Sequence, residues 1–156
     1  MISIRQAGPG ELDTIRQLFR EYQALPGVAA CVVSFEQEMA ALPGKYAPPG
    51  GSLLLAERHG EPLGCVALRP LGEHHAEMKR LYVRAQARGA GVGRMLAERI
   101  MAEARQRGYR GIRLDTMPFM TEAIGLYRDL GFREIKKYYD SAPAEALFFE
   151  YDFNRG

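Results

Sequence analysis

Arg88-Gly89-Ala90-Gly91-Val92-Gly93-Arg94 lies between the strand-like Ala76-Glu77-Met78-Lys79-Arg80-Leu81-Tyr82-Val83 and a long amphipathic segment. Glycines at 89, 91 and 93 remove the side chains that would keep a polyanion away from the main chain. A helix that follows at once offers unpaired N–H groups and the positive end of its dipole. Strand, glycine run and helix together predict a phosphate cradle inside a layered α/β domain.

Two phosphate-binding patterns compete for this run and fit it poorly. A P-loop needs Gly-Lys followed by Ser or Thr, which is absent. A dinucleotide fingerprint needs its third glycine at position 94, where Arg94 stands, although Asp115 lies at a tolerable distance for a ribose partner. A turn that merely uses glycine is the structural alternative.

Periodicity supplies the flanking elements. Ile2 and Ile4 alternate with polar neighbours as a first strand does, and Leu12, Ile15, Leu18, Phe19 and Tyr22 repeat at helical spacing. Ser34-Phe35-Glu36-Gln37 fits a capping box, which predicts a second helix running to about Leu42 before Pro43-Gly44. Strands at Ser52–Glu57 and Pro62–Leu68 flank a His59-Gly60 turn, and a third spans Glu77–Val83. Val92, Met95, Leu96, Ile100 and Ala104 mark a buried helical stripe that Gly108 ends. A strand at Ile112–Thr116, a helix carrying Ala123, Ile124, Tyr127 and Leu130 and closed by Gly131, and strands at Phe132–Ile135 and Ala146–Phe153 complete the order βααβββαβαββ. No repeat or linker divides it, so residues 1–156 are expected to form a single domain.

Composition narrows the partners. A net charge of +2 argues against general nucleic-acid binding, yet Lys79 to Arg113 holds ten basic and two acidic residues, which suits a small polyanion or a solvated arginine-rich face. The longest apolar run, Val28 to Val33, is too short to span a bilayer, and no secretory apolar region opens the chain, so a cytoplasmic protein with no membrane partner is expected. Cys31 and Cys65 have neither zinc nor redox spacing, and the adjacent His74 and His75 lack a third ligand, so no metal is expected.

At these residues the chain resembles the GNAT superfamily of acyl-CoA-dependent N-acetyltransferases, whose pyrophosphate loop reads Gln or Arg, two residues, Gly, one residue, then Gly or Ala. Arg88, Gly91 and Gly93 carry that pattern. Glu77–Val83 resembles the family's fourth strand, and Ala123-Ile124-Gly125-Leu126-Tyr127-Arg128-Asp129-Leu130-Gly131-Phe132 its later helix. The resemblance implies an α/β (α+β) layered fold, with a mixed, mostly antiparallel central sheet of about six to seven strands flanked by about four helices. It also implies acetyl-CoA as co-substrate, held by the main chain of Arg88, Gly89, Ala90, Gly91, Val92, Gly93 and Arg94, with the cofactor arm beside Leu81, Tyr82 and Val83. Arg88 and Arg94 either add direct charge or are solvated.

Tyr127 matches the tyrosine that many relatives place near the cofactor sulfur, where it protonates the leaving thiolate; its structural alternative is an aromatic packed on the sheet. Glu77 matches a carboxylate that takes the amine proton in some relatives, with His74, His75 or a strand ion pair as rivals. A fourth-strand N–H near Val83 is the implied oxyanion donor. Direct attack by the amine needs no covalent enzyme intermediate, so Cys31 and Cys65 are expected to be spectators.

The acceptor side is expected in Ala24–Phe35, Pro43–Gly51, Leu71–His75 and Lys136–Pro143, with Tyr138 and Tyr139 as pocket aromatics. Arg69 and the nearby histidines are candidates for an acidic or amino-acid-like acceptor. The favoured activity is acetylation of a primary amine on a small molecule. Protein or peptide N-acetylation, and a noncatalytic acyl-CoA-binding module, are the alternatives, and a homodimer is compatible with the chain.

Overall fold

The computed structural model describes residues 1–28 and 34–155, so Cys31, and all of the apolar run 28–33 except Val28, fall outside the described residues. The elements are β1 (Ser3–Gln6), α1 (Leu12–Gln23), α2 (Phe35–Ala41), β2 (Ser52–Arg58), β3 (Glu61–Leu71), β4 (His75–Val83), α3 (Val92–Gln106), β5 (Gly111–Thr116), α4 (Thr121–Leu130), β6 (Arg133–Ile135) and β7 (Leu147–Asp152). They follow the order that periodicity predicts.

One mixed seven-stranded sheet runs β1-β2-β3-β4-β5-β7-β6. β4 and β5 are its parallel pair, joined by a crossover through α3, and the other neighbours are antiparallel. Arg58 pairs with Glu61 across a two-residue turn in which His59 and Gly60 have φ of 53° and 78°, the positive pair that a tight hairpin of this twist needs.

Strand alternation divides the core between the two sheet faces. Leu53 and Leu55 of β2 and Cys65 and Ala67 of β3 pack with Ile15, Leu18 and Phe19 of α1 and Phe35 and Met39 of α2. Leu54, Ala56, Val66 and Leu68 point the other way, onto Leu96 and Ile100 of α3, Tyr127 of α4 and Phe149 of β7. Because both faces are covered, Leu53–Ala56 reads as an unbroken apolar run.

The N-terminus of α2 departs from the capping box. Ser34 adopts φ 60°, ψ 36°, and its side chain makes no capping hydrogen bond. A capping serine needs extended backbone to aim its hydroxyl at the next turn, and the left-handed conformation turns it away. Gln37 instead lines an open pocket, and α2 ends at Ala41.

Candidate active site

β4 creates the site by failing to stay paired. It pairs with β5 at His75, Ala76 and Glu77, and from Met78 onward its outer edge has no neighbouring strand among the described residues. On its other side the register slips: Cys65 faces Tyr82 while Ala67 faces Lys79, which leaves Arg80 and Leu81 opposite Val66 alone. Arg80 absorbs this bulge at φ 61°, and its buried guanidinium reaches Glu38 of α2 with Nε–Oε2 of 3.1 Å and Nη2–Oε1 of 2.8 Å. The Arg84 amide donates to Leu63 O at 2.8 Å, so strand alternation turns the Val83 N–H away from β3, toward the open side.

That open side is a cleft of about 730 Å³ whose walls include β4, the glycine run and the start of α4. Leu81, Tyr82, Val83, Arg88, Gly89, Gly91, Val92 and Gly93 line it. Gly89 and Gly91 have φ of 86° and 80°, and Gly91 caps α3 in the left-handed conformation. Within the described residues the amides of Gly89, Gly91, Val92, Gly93 and Arg94 have no backbone acceptor; Ala90 donates to Ala87 O at 3.4 Å, and Met95 opens the helical ladder by donating to Gly91 O at 3.0 Å. Main-chain donors thus gather at the positive end of a fifteen-residue helix, an arrangement that suits an anion. Arg88 adds charge at the rim, with only its Nε engaged among the described residues, on Val83 O at 3.4 Å. The side chain of Arg94 turns to Asp129 and Glu98, and neither it nor Ala90 lines the cleft. Other arginines of the basic segment are neutralised by acids from elsewhere, Arg84 by Glu21 and Arg113 by Glu150.

A second pocket of about 640 Å³ opens on the far side of the bulge, between α2, the short turn at Gly44–Tyr46, the start of β4 and the segment carrying Tyr138 and Tyr139. A narrow throat of about 50 Å³ shares Lys79, Arg80 and Pro143 with this pocket and Tyr22, Leu81, Met120 and Ala123 with the cleft. Tyr127 stands in the throat, its ring packed on Phe132 and Phe149 at centroid distances of 5.7 and 6.4 Å. Burial pushes its phenol well above the ordinary tyrosine range, so the proton stays on the hydroxyl. No hydrogen bond to that hydroxyl occurs among the described residues, and none of their buried side-chain oxygens lacks a partner, so the hydroxyl opens onto the throat.

Glu77 lines the second pocket and is 2 % exposed. It accepts Arg69 Nε at 2.8 Å on Oε1 and the Tyr138 hydroxyl at 2.5 Å on Oε2, with Lys79 Nζ at 4.0 Å. Burial opposes its ionisation, yet Lys79, Tyr138 and Arg69 outweigh burial and hold the carboxyl below its usual range. His75 pairs with Glu150 at 3.3 Å and His74 is exposed near Glu73, and neither lines the pocket. Glu38 escaped sequence analysis, whereas Lys79 enters it only through the strand ion pair at Glu77 and Asp115 only as a ribose partner; here Asp115 accepts the Tyr139 hydroxyl at 2.5 Å. The strand pattern signals Lys79, because it lies two residues from Glu77 on the same face.

A row of unpaired amides at a helix terminus, an open strand edge beside it and a protonated tyrosine between two pockets suit a coenzyme A-dependent acyltransferase. The profile of the Acetyltransferase (GNAT) family matches residues 12–132. An uncharacterized N-acetyltransferase of Schizosaccharomyces pombe is 34 % identical over 149 residues, covering 94 % of this chain and 91 % of its own. An acyl-CoA N-acyltransferase structure from Klebsiella pneumoniae superposes with a TM-score of 0.77 at 28 % identity over 97 % of each chain. A Salmonella typhimurium acetyltransferase solved with its cofactor acetyl-CoA gives 0.77 at 19 % identity, covering 97 % of this chain and 93 % of that one. The chain therefore belongs to the GNAT family of acetyltransferases and is an acyl-CoA-dependent N-acyltransferase. No helix among the described residues is long and apolar enough to cross a membrane.

Proposed function

We propose that the enzyme moves the acetyl group of acetyl-CoA to the primary amine of a small molecule by direct attack. The observation that carries this reading is the throat at Tyr127, which shares lining residues with a main-chain-lined cleft on one side and a pocket of about 640 Å³ on the other. That volume lies within the roughly 300–1,000 Å³ typical of small-ligand sites.

The cleft fits the coenzyme by its donor set. The free amides of Gly89, Gly91, Val92, Gly93 and Arg94 would hold the pyrophosphate with Arg88 beside them, and the outward-turned Val83 main chain on the open edge of β4 would receive the amide-containing arm. When bound, acetyl-CoA supplies an acetyl thioester, which an uncharged amine can attack. Tyr127 keeps a proton on its hydroxyl oxygen in the throat and is assigned as donor to the departing sulfur. Glu77, ionised throughout the working range, is assigned as acceptor of the amine proton, directly or through water. Each of its oxygens keeps a lone pair beyond the bonds to Arg69 and Tyr138.

Thiol release from acetyl-CoA across an amine panel tests the proposal. Acceptor-dependent release with small amines is expected. Release only with peptides or proteins would transfer the assignment to a macromolecular acceptor.

A further inference from the structure

The pocket beyond the throat has an uneven balance of charge. Its lining includes the cations Lys45, Arg69, Lys79 and Arg80 and the anions Glu38 and Glu77. Every acid in and beside it is already engaged. Glu38 takes two bonds from Arg80 and one from the Tyr46 hydroxyl at 3.1 Å, Glu77 is held by Arg69 and Tyr138, and Asp115 by Tyr139. The cations are not saturated in return. Arg69 uses only Nε, which leaves both terminal nitrogens of its fork without a partner among the described residues. Lys79 stands 3.8 Å from Asp115 and 4.0 Å from Glu77, beyond hydrogen-bond reach of either. Lys45 is exposed at the rim with no ion pair among the described residues.

A cavity whose acids are satisfied and whose cations are not attracts an anion. A planar guanidinium fork with both terminal nitrogens free matches the two oxygens of a carboxylate. The same positive excess lowers the pKa of any ammonium entering the pocket and favours the uncharged nucleophile. A polyamine or a simple alkylamine brings a second like charge, or no anchor, to the same cations.

We infer that the acceptor carries a carboxylate beside its amine, so the substrate class is small amino acids, with Arg69 clamping the carboxylate and Lys79 and Lys45 completing the field. This assignment rests on the small-molecule acetyltransferase reading above. It makes Arg69 a specificity-determining residue as well as a partner of Glu77.

The test compares matched trios: proteinogenic amino acids, their decarboxylated amines and their carboxamides, each assayed for acetyl-CoA-dependent thiol release. The carboxylate-bearing member is expected to have the higher kcat/KM by about 10- to 100-fold, the factor that a hydrogen-bonded charge pair supplies. Arg69→Gln is expected to raise KM for the carboxylated member by a similar factor relative to the decarboxylated member, whatever it does to the kcat of both through Glu77, with Arg69→Lys recovering part of the lost preference. Lys45→Gln, at an exposed position that does not endanger folding, is expected to weaken the same preference in the same direction. Calorimetric titration of each trio into the coenzyme A complex reads the preference without turnover. Release with decarboxylated amines at equal or greater efficiency leaves the acetyltransferase reading intact and overturns the carboxylate assignment, as does equal affinity across the trio in the titration. Tighter binding of the carboxylated member without release supports the pocket assignment and counts against the small-molecule activity.

Discussion

Tyr127 combines a ring buried in the aromatic cluster with a hydroxyl that no described residue binds, and Glu77 shows the reverse, a buried carboxylate with partners on both oxygens. The difference separates their roles. Tyr127→Phe removes only the hydroxyl assigned as proton donor, so kcat is expected to fall by about 10²- to 10⁴-fold, while the coenzyme A dissociation constant and the thermal midpoint stay near the parent's. Steady-state kinetics beside calorimetry checks this, and undiminished kcat with the true acceptor would remove the acid assignment. For Glu77 the sign of the pH effect follows from its environment. A carboxyl held below its usual range is already ionised near neutrality, so the acid limb of kcat/KM belongs to the acceptor ammonium. Glu77→Gln is therefore expected to lower kcat/KM across the profile between about pH 6 and pH 9 without moving the limb, and a displaced limb would show that Glu77 itself titrates there. Sequence alone makes both residues candidates through motif resemblance and places Lys79 beside Glu77 on the strand, but it does not reveal that Arg69 and Tyr138 converge on Glu77 as well. Tyr138 is 61 positions away from Glu77, and only the closing of the sheet brings them together.

At the scale of elements, the N-terminus of α3 and the splayed β4 do the assembling, and they differ in how far the sequence discloses them. Glycine spacing and hydrophobic stripes are local signals, so α3, its glycine run and the order of all seven strands are legible from the chain. The parting of β4 from β5 after Glu77 and the slip at Arg80 depend on partners far away in sequence, and no local pattern encodes them. The capping box at Ser34 misled because motif matching assumes an extended backbone that the chain does not adopt there. Within the glycine run two positions separate folding from binding. Gly91 sits at φ 80° with open space where a Cβ would stand, so Gly91→Ala acts through the backbone and is expected to cost about 1–2 kcal/mol in urea denaturation. Gly93 has an ordinary helical φ, and a Cβ there meets Val83 Cγ2 at 3.7 Å and Leu126 Cδ2 at 3.9 Å, both normal contacts. Gly93→Ala is thus expected to hold or raise stability by up to about 1 kcal/mol while weakening coenzyme A binding, because its methyl enters the cleft where the ligand must approach. Loss of stability with unchanged affinity would show that Gly93 serves packing.

Over the whole molecule, ion pairs link helices to the sheet around the site, and they set its response to acid. Glu21 of α1 holds Arg84 just beyond β4, Glu38 of α2 holds Arg80 on the bulge, and Glu11 holds Arg5 of β1. Hydrogen bonding to Arg84 keeps the Glu21 carboxyl below its usual range, and hydrogen bonding to Arg5 brings Glu11 to about 2. Glu77 and Glu103 are lowered too, because their basic partners overcome the opposing effect of burial. A carboxyl with a folded pKa below its unfolded value near 4.5 contributes stability above that value and loses it as pH falls through the folded pKa. His75 acts in the same direction at higher pH: burial and then Arg113 lower its pKa, so protonation below about 6.5 favours the unfolded chain. The thermal midpoint is therefore expected to decline gently as pH drops below about 6.5 and steeply from about 4.5 toward 2. Glu21→Gln removes one of the titrating carboxylates, so it is expected to lower the midpoint at neutral pH and flatten the acid slope, converging on the parent at the acid end. A midpoint unchanged between about pH 5 and pH 3 would mean that these pairs contribute nothing to holding α1 and α2 against β4.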